Sequence, residues 1–328
     1  MTRHRLRHSV GALLVLGAAA VPLAASADTT IVVGKAVATS DPVIPVDVGK
    51  QLGIFTKHGI DVTIVNFRGG AKMAQAMAAG NIDIGDAGGT ELAFIAKGAP
   101  MMGICEVSGP FSFLSIGVPH DSPIKTIDDL KGKKIGVSSP GSLTEWLAKE
   151  LAVKKGWGPE GITPVAIGNG VASTIAAFRE HLVDADLGGT NQFLSMEEQK
   201  IGHPLVSVSD YEASMVSGLL VASNHIIKTN PEAVRAFVAG WVETVDFIRT
   251  HRAETVKIES AITQLPESVT AKEYDITHDN LFTKACNFDD QSIAELKRSL
   301  VGLKLLPESA DMSKFYTTEF LPKDHDHR

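Results

Sequence analysis

Two stretches of this chain follow one plan, and that likeness constrains its fold more than any other feature. Residues 74–90 read AQAMAAGNIDIGDAGGT and residues 175–190 read IAAFREHLVDADLGGT. Each begins with residues at helical spacing, breaks, runs through a short apolar-Asp strand, and ends on Gly-Gly-Thr before a second helix. Asp83 aligns with Asp184, and Gly88-Gly89-Thr90 with Gly188-Gly189-Thr190 after a one-residue offset. Two ordinary αβα units alike by chance would read this way, and so would two like-built lobes. In the second case the glycine-bearing strand ends face each other, and ligands of open α/β sheets sit at such ends.

The rest of the chain fits an α/β protein. Short β-branched runs near residues 31–37, 62–66, 82–85, 101–107, 114–118 and 134–138 alternate with helical patterns. Weaker strand signals follow at 164–167, 185–187 and 205–208, then an apolar run at 216–222. From Pro231 onward the spacing is almost entirely helical, with Val234, Phe237, Val238, Trp241, Val242 and Val245 on one stripe. At 328 residues the chain exceeds the roughly 250–300 at which single cores stop growing, so two lobes are expected. A net charge of -7 disfavours a nucleic-acid partner.

Residues 1–27 read as an export signal. Arg3, Arg5 and Arg7 precede an apolar run over 10–20, and Ala25-Ser26-Ala27 stands before Asp28 as a small-residue cleavage pattern. The run falls short of the roughly 20 residues a spanning helix needs. With no Cys beside the cleavage point there is no lipid attachment site, so the expectation is a mature protein released into the periplasm. Its two cysteines, Cys105 and Cys286, can pair in such an oxidising compartment, but sequence supplies no distance between them.

The run KQLGIFTKHGIDVTIVNFRGGAKMAQAMAAGNIDIGDAGGTELAFIAKGAP, followed by GVPHDSPIKTIDDLKGKKIGVSSPGSLTEWLAKELAVKKGW, resembles the solute-binding proteins of ABC importers. The likeness is to their NMT1/THI5-like, SsuA/TauA-like branch and extends over about residues 30–320. It implies a type II periplasmic-binding fold: two Rossmann-like α/β lobes, joined by two crossover strands, with a ligand cleft between them. Mapped here, residues 28–119 plus 214–328 form lobe one and residues 120–213 lobe two, with crossovers near Pro119-His120 and residues 213–218. It also implies a monomer with a small-molecule ligand, a permease partner in the inner membrane, and no cofactor.

Candidate ligand contacts sit where strands run into helices. Ser139, Gly141 and Ser142 occupy one such turn, and Ser142 with Glu145 also spells a capping box. Arg68 and Gly69 form a second, where a guanidinium beside exposed amides suits a carboxylate or sulfonate. Gly88, Gly89 and Thr90 form a third, matched in the other lobe by Gly189 and Thr190, while Ser40 and Asp41 follow the first strand. Glu91 opposes an anion. The ligand expectation is therefore a small organic anion, with a neutral or cationic heterocycle of the thiamine-pyrimidine type as the alternative. Phe111 and Phe113 either stack on a ring or pack, and for Trp146 core packing is expected.

Enzyme signatures are weak. The chain has no G-x-S-x-G elbow, H-E-x-x-H helix or Walker loop. Gly168-Asn169-Gly170 opens a G-x-G-x-x-G pattern that ends on Ser173, and Ser122-Pro123-Ile124-Lys125 reads as a turn. His325 and His327 alone make no metal site. An exported enzyme using the same cleft is the rival reading.

Overall fold

Strand β1 (Thr29–Lys35) starts the first sheet, and its apolar residues Ile31 and Val33 are fully buried. It appears in a computed structural model that describes residues 1, 29–39, 41–158, 160–212, 215–281 and 286–322. Ser40, the leader over 2–27, and His325 and His327 lie outside the described residues. The first half continues α1 (Pro45–Gln51), α2 (Ile54–Lys57), β2 (Ile60–Asn66), α3 (Gly70–Ala78), β3 (Ile84–Ala87), α4 (Glu91–Ala96), β4 (Met101–Gly109). Then come β5 (Leu114–Pro119), β6 (Lys134–Val137), α5 (Leu143–Lys154), β7 (Thr163–Ala166), α6 (Val171–Arg179), β8 (Ala185–Gly189), α7 (Thr190–Glu198) and β9 (Gly202–Ser207). The chain closes with β10 (Met215–Ser223), α8 (Asn224–Thr229), α9 (Pro231–Thr250), α10 (Arg252–Thr263), α11 (Glu267–Leu281) and α12 (Asp290–Gly302). Among the described residues no helix is long and apolar enough to cross a membrane.

These strands form two five-stranded sheets, ordered β2-β1-β3-β10-β4 and β7-β6-β8-β5-β9. In each, three parallel strands are followed by an antiparallel one, β10 in the first and β5 in the second. Buried along its whole length, β10 reads as the nearly continuous apolar run MVSGLLVAS, since both its faces are covered. The repeat of the sequence is thus a repeat of topology. It extends to single bonds: Asp83 accepts the Val32 N–H at 2.9 Å, and Asp184 accepts the Lys134 N–H at 2.8 Å. Each carboxylate ties the start of the third parallel strand to the first.

One boundary differs from expectation. Leu114–Pro119 was assigned to lobe one, but β5 pairs with β8 and β9 of the second sheet. The chain therefore passes between sheets over residues 110–113 and returns between β9 and β10. The alternating run around Pro119 marks a strand, and nothing local says which sheet adopts it.

Helix α9 turns Val234, Phe237, Val238, Trp241 and Val245 inward and packs chiefly on α1 and α2, with the Phe237 ring stacked on Phe55 of α2 at 5.1 Å. Asn230 caps it by accepting the Ala233 N–H at 3.2 Å, with Pro231 in its first turn. Cys105 on β4 is bonded to Cys286, their Cα atoms 4.3 Å apart, which joins the sheet to the segment after α11. The pairing that spacing left open is thereby made.

Candidate ligand-binding cleft

The carboxyl ends of β1, β3, β6, β7 and β8 converge on one cavity of about 250 Å³. Lobe one contributes Ala36, Val37 and Thr39 after β1, and Gly69, Gly70, Gly88, Thr90 and Glu91. Lobe two contributes Ser138, Ser142, Leu143, Thr144, Gly168–Gly170, Asp186, Gly189, Asn191 and Gln192. The lobes touch at the rim: a Cβ on Gly88 would lie 2.7 Å from Leu143 Cδ2, and one on Gly141 would lie 3.6 Å from Ala71 Cβ. Gly69, at φ 108°, adopts backbone that L-residues rarely take, and Ser139 fills the space a side chain there would need. The two lobes thus meet at these points beside the cavity.

Of the sequence candidates, Gly69, Gly88, Thr90, Ser142 and Gly189 line this space. Asp41 begins a short 3-10 turn whose next residues, Pro42 and Val43, line it. The others do not. Arg68 is exposed and lies off the cavity wall, because the turn that buries Gly69 against lobe two sends its predecessor outward. At Gly89, a side chain would meet Val216 and Leu296, so that residue faces the core. Ser139 and Gly141 belong to the lobe contact rather than the wall. Thr190 departs from its counterpart Thr90: its hydroxyl is held by Ser115 Oγ at 2.8 Å and donates to the Ser112 carbonyl at 2.9 Å.

Several of the turn amides offered to an anion are already engaged. Gly69 N–H donates to the Ala36 carbonyl at 2.7 Å, Thr190 N–H to that of Phe113 at 2.9 Å, and Ser142 N–H to that of Ser139 at 3.2 Å. Gly141 N–H donates to Glu145 Oε2 at 2.5 Å. The expected capping box is therefore shifted: Ser142 Oγ accepts the Glu145 N–H at 3.4 Å, but Glu145 reaches back one residue further.

The cavity's electrostatics come from acids. Glu91 is 0 % exposed, and its carboxyl oxygens make no well-formed hydrogen bond; only its own N–H and the Thr90 hydroxyl of the same turn lie near enough to act on them. Burial pushes its pKa up to about 8, offset only in part by its own N–H and by Thr90. Asp186 faces the same space from the other lobe. Its Oδ2 accepts Thr174 Oγ1 at 2.6 Å and Gln192 Nε2 at 3.0 Å, and burial still raises it to about 7. Behind Glu91, burial also raises Asp86, against the lowering influence of Lys35. Lys35 is fully buried and engaged by Asp47 and by the Ala38 carbonyl at 2.7 Å. Among the described lining residues there is no Lys, Arg or His.

Sequence reasoning missed Asp186, Asn191, Gln192 and the wall role of Gly168–Gly170. The last was within reach, because Gly170 stands from Gly69 at the spacing that separates Asp184 from Asp83. Each caps its helix in the same strained conformation, φ 103° at Gly170 and 108° at Gly69. Phe113 lines the cavity while Phe111 is buried beside it, ring centroids 5.7 Å apart. Trp146 is buried as expected, but between lobes, donating from Nε1 to Ser299 at 2.7 Å.

Known proteins resemble this chain in sequence and fold. A protein of Brucella abortus named only as a binding protein is 27% identical over 252 residues, covering 76% of this chain and 73% of its own. A 4-amino-5-hydroxymethyl-2-methylpyrimidine phosphate synthase of Saccharomyces cerevisiae is 26% identical over 223 residues, 62% of this chain and 63% of that one. The solved alkanesulfonate-binding protein SsuA of Xanthomonas axonopodis pv. citri, bound to MOPS, superposes with a TM-score of 0.76 at 21% identity. That match covers 88% of this chain and 98% of SsuA and establishes the shared fold, that of the periplasmic binding proteins. The sequence model described as "NMT1/THI5 like" matches residues 42–255, a span that contains most of the cavity wall, and the chain belongs to that family.

Proposed function

We propose that this protein is the extracytoplasmic solute-binding component of an ABC importer. It closes two lobes over a small molecule in the periplasm and presents it to a permease in the inner membrane. The observation that carries this reading is the cavity itself, walled by both lobes, which touch beside it at Gly88–Leu143 and Gly69–Ser139. A ligand that touches both walls only when they meet shifts the population to the closed form. The Cys105–Cys286 bond fits an oxidising compartment.

Binding rather than catalysis fits the wall chemistry. The Ser138 and Ser142 hydroxyls both pair with Thr144, at 3.0 and 3.1 Å, instead of with a base that would activate them. The alkanesulfonate-binding neighbour speaks for a small organic anion as ligand, and the yeast relative for a pyrimidine. The committed amides and the two acids favour the neutral or cationic class.

Small-angle scattering during titration tests the capture step. Saturating ligand is expected to reduce the radius of gyration, and the same ligand at 100 times its Kd should add about 2.7 kcal/mol of stability. Saturation without compaction, or chemical turnover of the bound compound, overturns the proposal.

A further inference from the structure

Glu91 has two carboxyl oxygens in the cavity wall, both buried and met only by poorly formed contacts from its own N–H and the Thr90 hydroxyl of the same turn. A native fold seldom leaves such groups so poorly met, since each costs free energy unless a partner arrives. Asp186 comes to the same space from the other lobe. Its Oδ2 accepts from Thr174 and Gln192, while Oδ1 lies against Gly136 of β6.

What would complete this site is a donor. An anion would enter a space with two acids, no cationic side chain on the described wall, and turn amides already committed at Gly69, Gly141 and Ser142. Lys35, a buried cation that acts on the neighbouring Asp86, is held by Asp47 and the Ala38 carbonyl. A nitrogen cation instead supplies the missing charge, and a planar one offers two parallel N–H groups to the two oxygens of a carboxylate. The cavity, about 250 Å³, suits a compact molecule. Among the described residues no group of three His, Cys, Asp or Glu is placed to hold a metal ion, which leaves an organic donor.

We infer that the cleft takes a compact, N–H-rich nitrogen compound of amidinium, guanidinium or protonated amino-heterocycle type, clamped between Glu91 of one lobe and Asp186 of the other. The inference rests on the solute-capture reading and names the ligand class for it. Burial that holds both acids near neutrality in their pKa agrees with it, because a bound cation would draw them into the ionised form.

The test is calorimetric titration of the purified chain at pH 7.5 with benzamidine, guanidinium and 4-aminopyridine, against taurine and benzoate. At least one nitrogen compound is expected to bind. Glu91→Gln should weaken it tenfold or more, and Asp186→Asn should weaken it in the same direction, with both variants still melting cooperatively. The class is overturned if taurine or benzoate binds and none of the three nitrogen compounds does, or if the wild type ignores all three. Unchanged affinity in Glu91→Gln overturns the clamp. Scattering on the same samples separates this inference from the reading beneath it. Compaction by an anion would keep solute capture and reject the class, whereas a cation bound without compaction would keep the class and reject capture.

Discussion

Glu91 shows how a residue's chemistry depends on what folds around it. In the sequence it is an acid in a first helical turn, a common position for one. In the fold it is fully buried, and its pKa stands near 8. The charged groups around it are Asp86, whose carboxyl is itself raised by burial, and behind that Lys35 and Asp47. The sign of the consequence follows from linkage. An acid raised in the native state holds a proton that the unfolded chain has released, so stability falls as pH rises from about 4.5 toward 8. Asp186 contributes in the same direction up to about 7. Unliganded Glu91→Gln is therefore expected to be more stable than wild type at pH 8, by about 1–3 kcal/mol, and to lose part of the pH slope. Urea denaturation at pH 5, 6.5 and 8 checks this, and parallel slopes in the two proteins would contradict it.

At the scale of elements, α5 connects the cleft to the passage between lobes. Its first residue, Leu143, meets Gly88 at the rim, and one turn on Trp146 donates to Ser299 of α12. Ser299 Oγ in turn donates to Glu150 Oε2 at 2.5 Å, and Arg298 reaches Glu150 Oε1 at 3.0 Å. At the far end Lys154 pairs with Glu212 at 2.6 Å and with the Tyr211 carbonyl at 2.9 Å, just before the chain returns to the first sheet. Ser299→Ala would leave an indole N–H and a buried carboxylate each one partner short. A loss of about 2 kcal/mol or more is expected in equilibrium denaturation, because unmet buried groups cost more than a bond is worth. A change within 0.5 kcal/mol would mean that water replaces the hydroxyl. The helix itself was legible from spacing, but its partner in α12 is more than a hundred residues away and leaves no mark in local sequence.

For the whole molecule, the disulfide closes the longest covalent loop, with Cys105 and Cys286 separated by 181 positions. A crosslink of that span removes much unfolded-state entropy, and Cys286→Ser is expected to cost about 2–5 kcal/mol. Melting with and without reductant provides the check: wild type should lose stability on reduction and the variant should not. Identical curves for reduced and oxidised wild type would count against the bond's role.

Much of this protein was determined by local sequence. The alternation of short apolar runs with helical stripes placed the ten strands and most helices as far as α7, though not the separate helices after β10, and the likeness of 74–90 to 175–190 pointed to two like-built lobes, with Asp83 and Asp184 in matching places. These features were readable because periodicity, turns and caps act over a few residues. Tertiary structure alone decided that β5 joins the second sheet, that Arg68 faces out and Asp186 in, and that Thr90 lines the cavity while Thr190 is tied to Ser115 and the Ser112 carbonyl. It also decided the cleft's electrical character. Burial, and the partner each polar atom finds, depend on residues distant in the chain, and no local pattern carries that information.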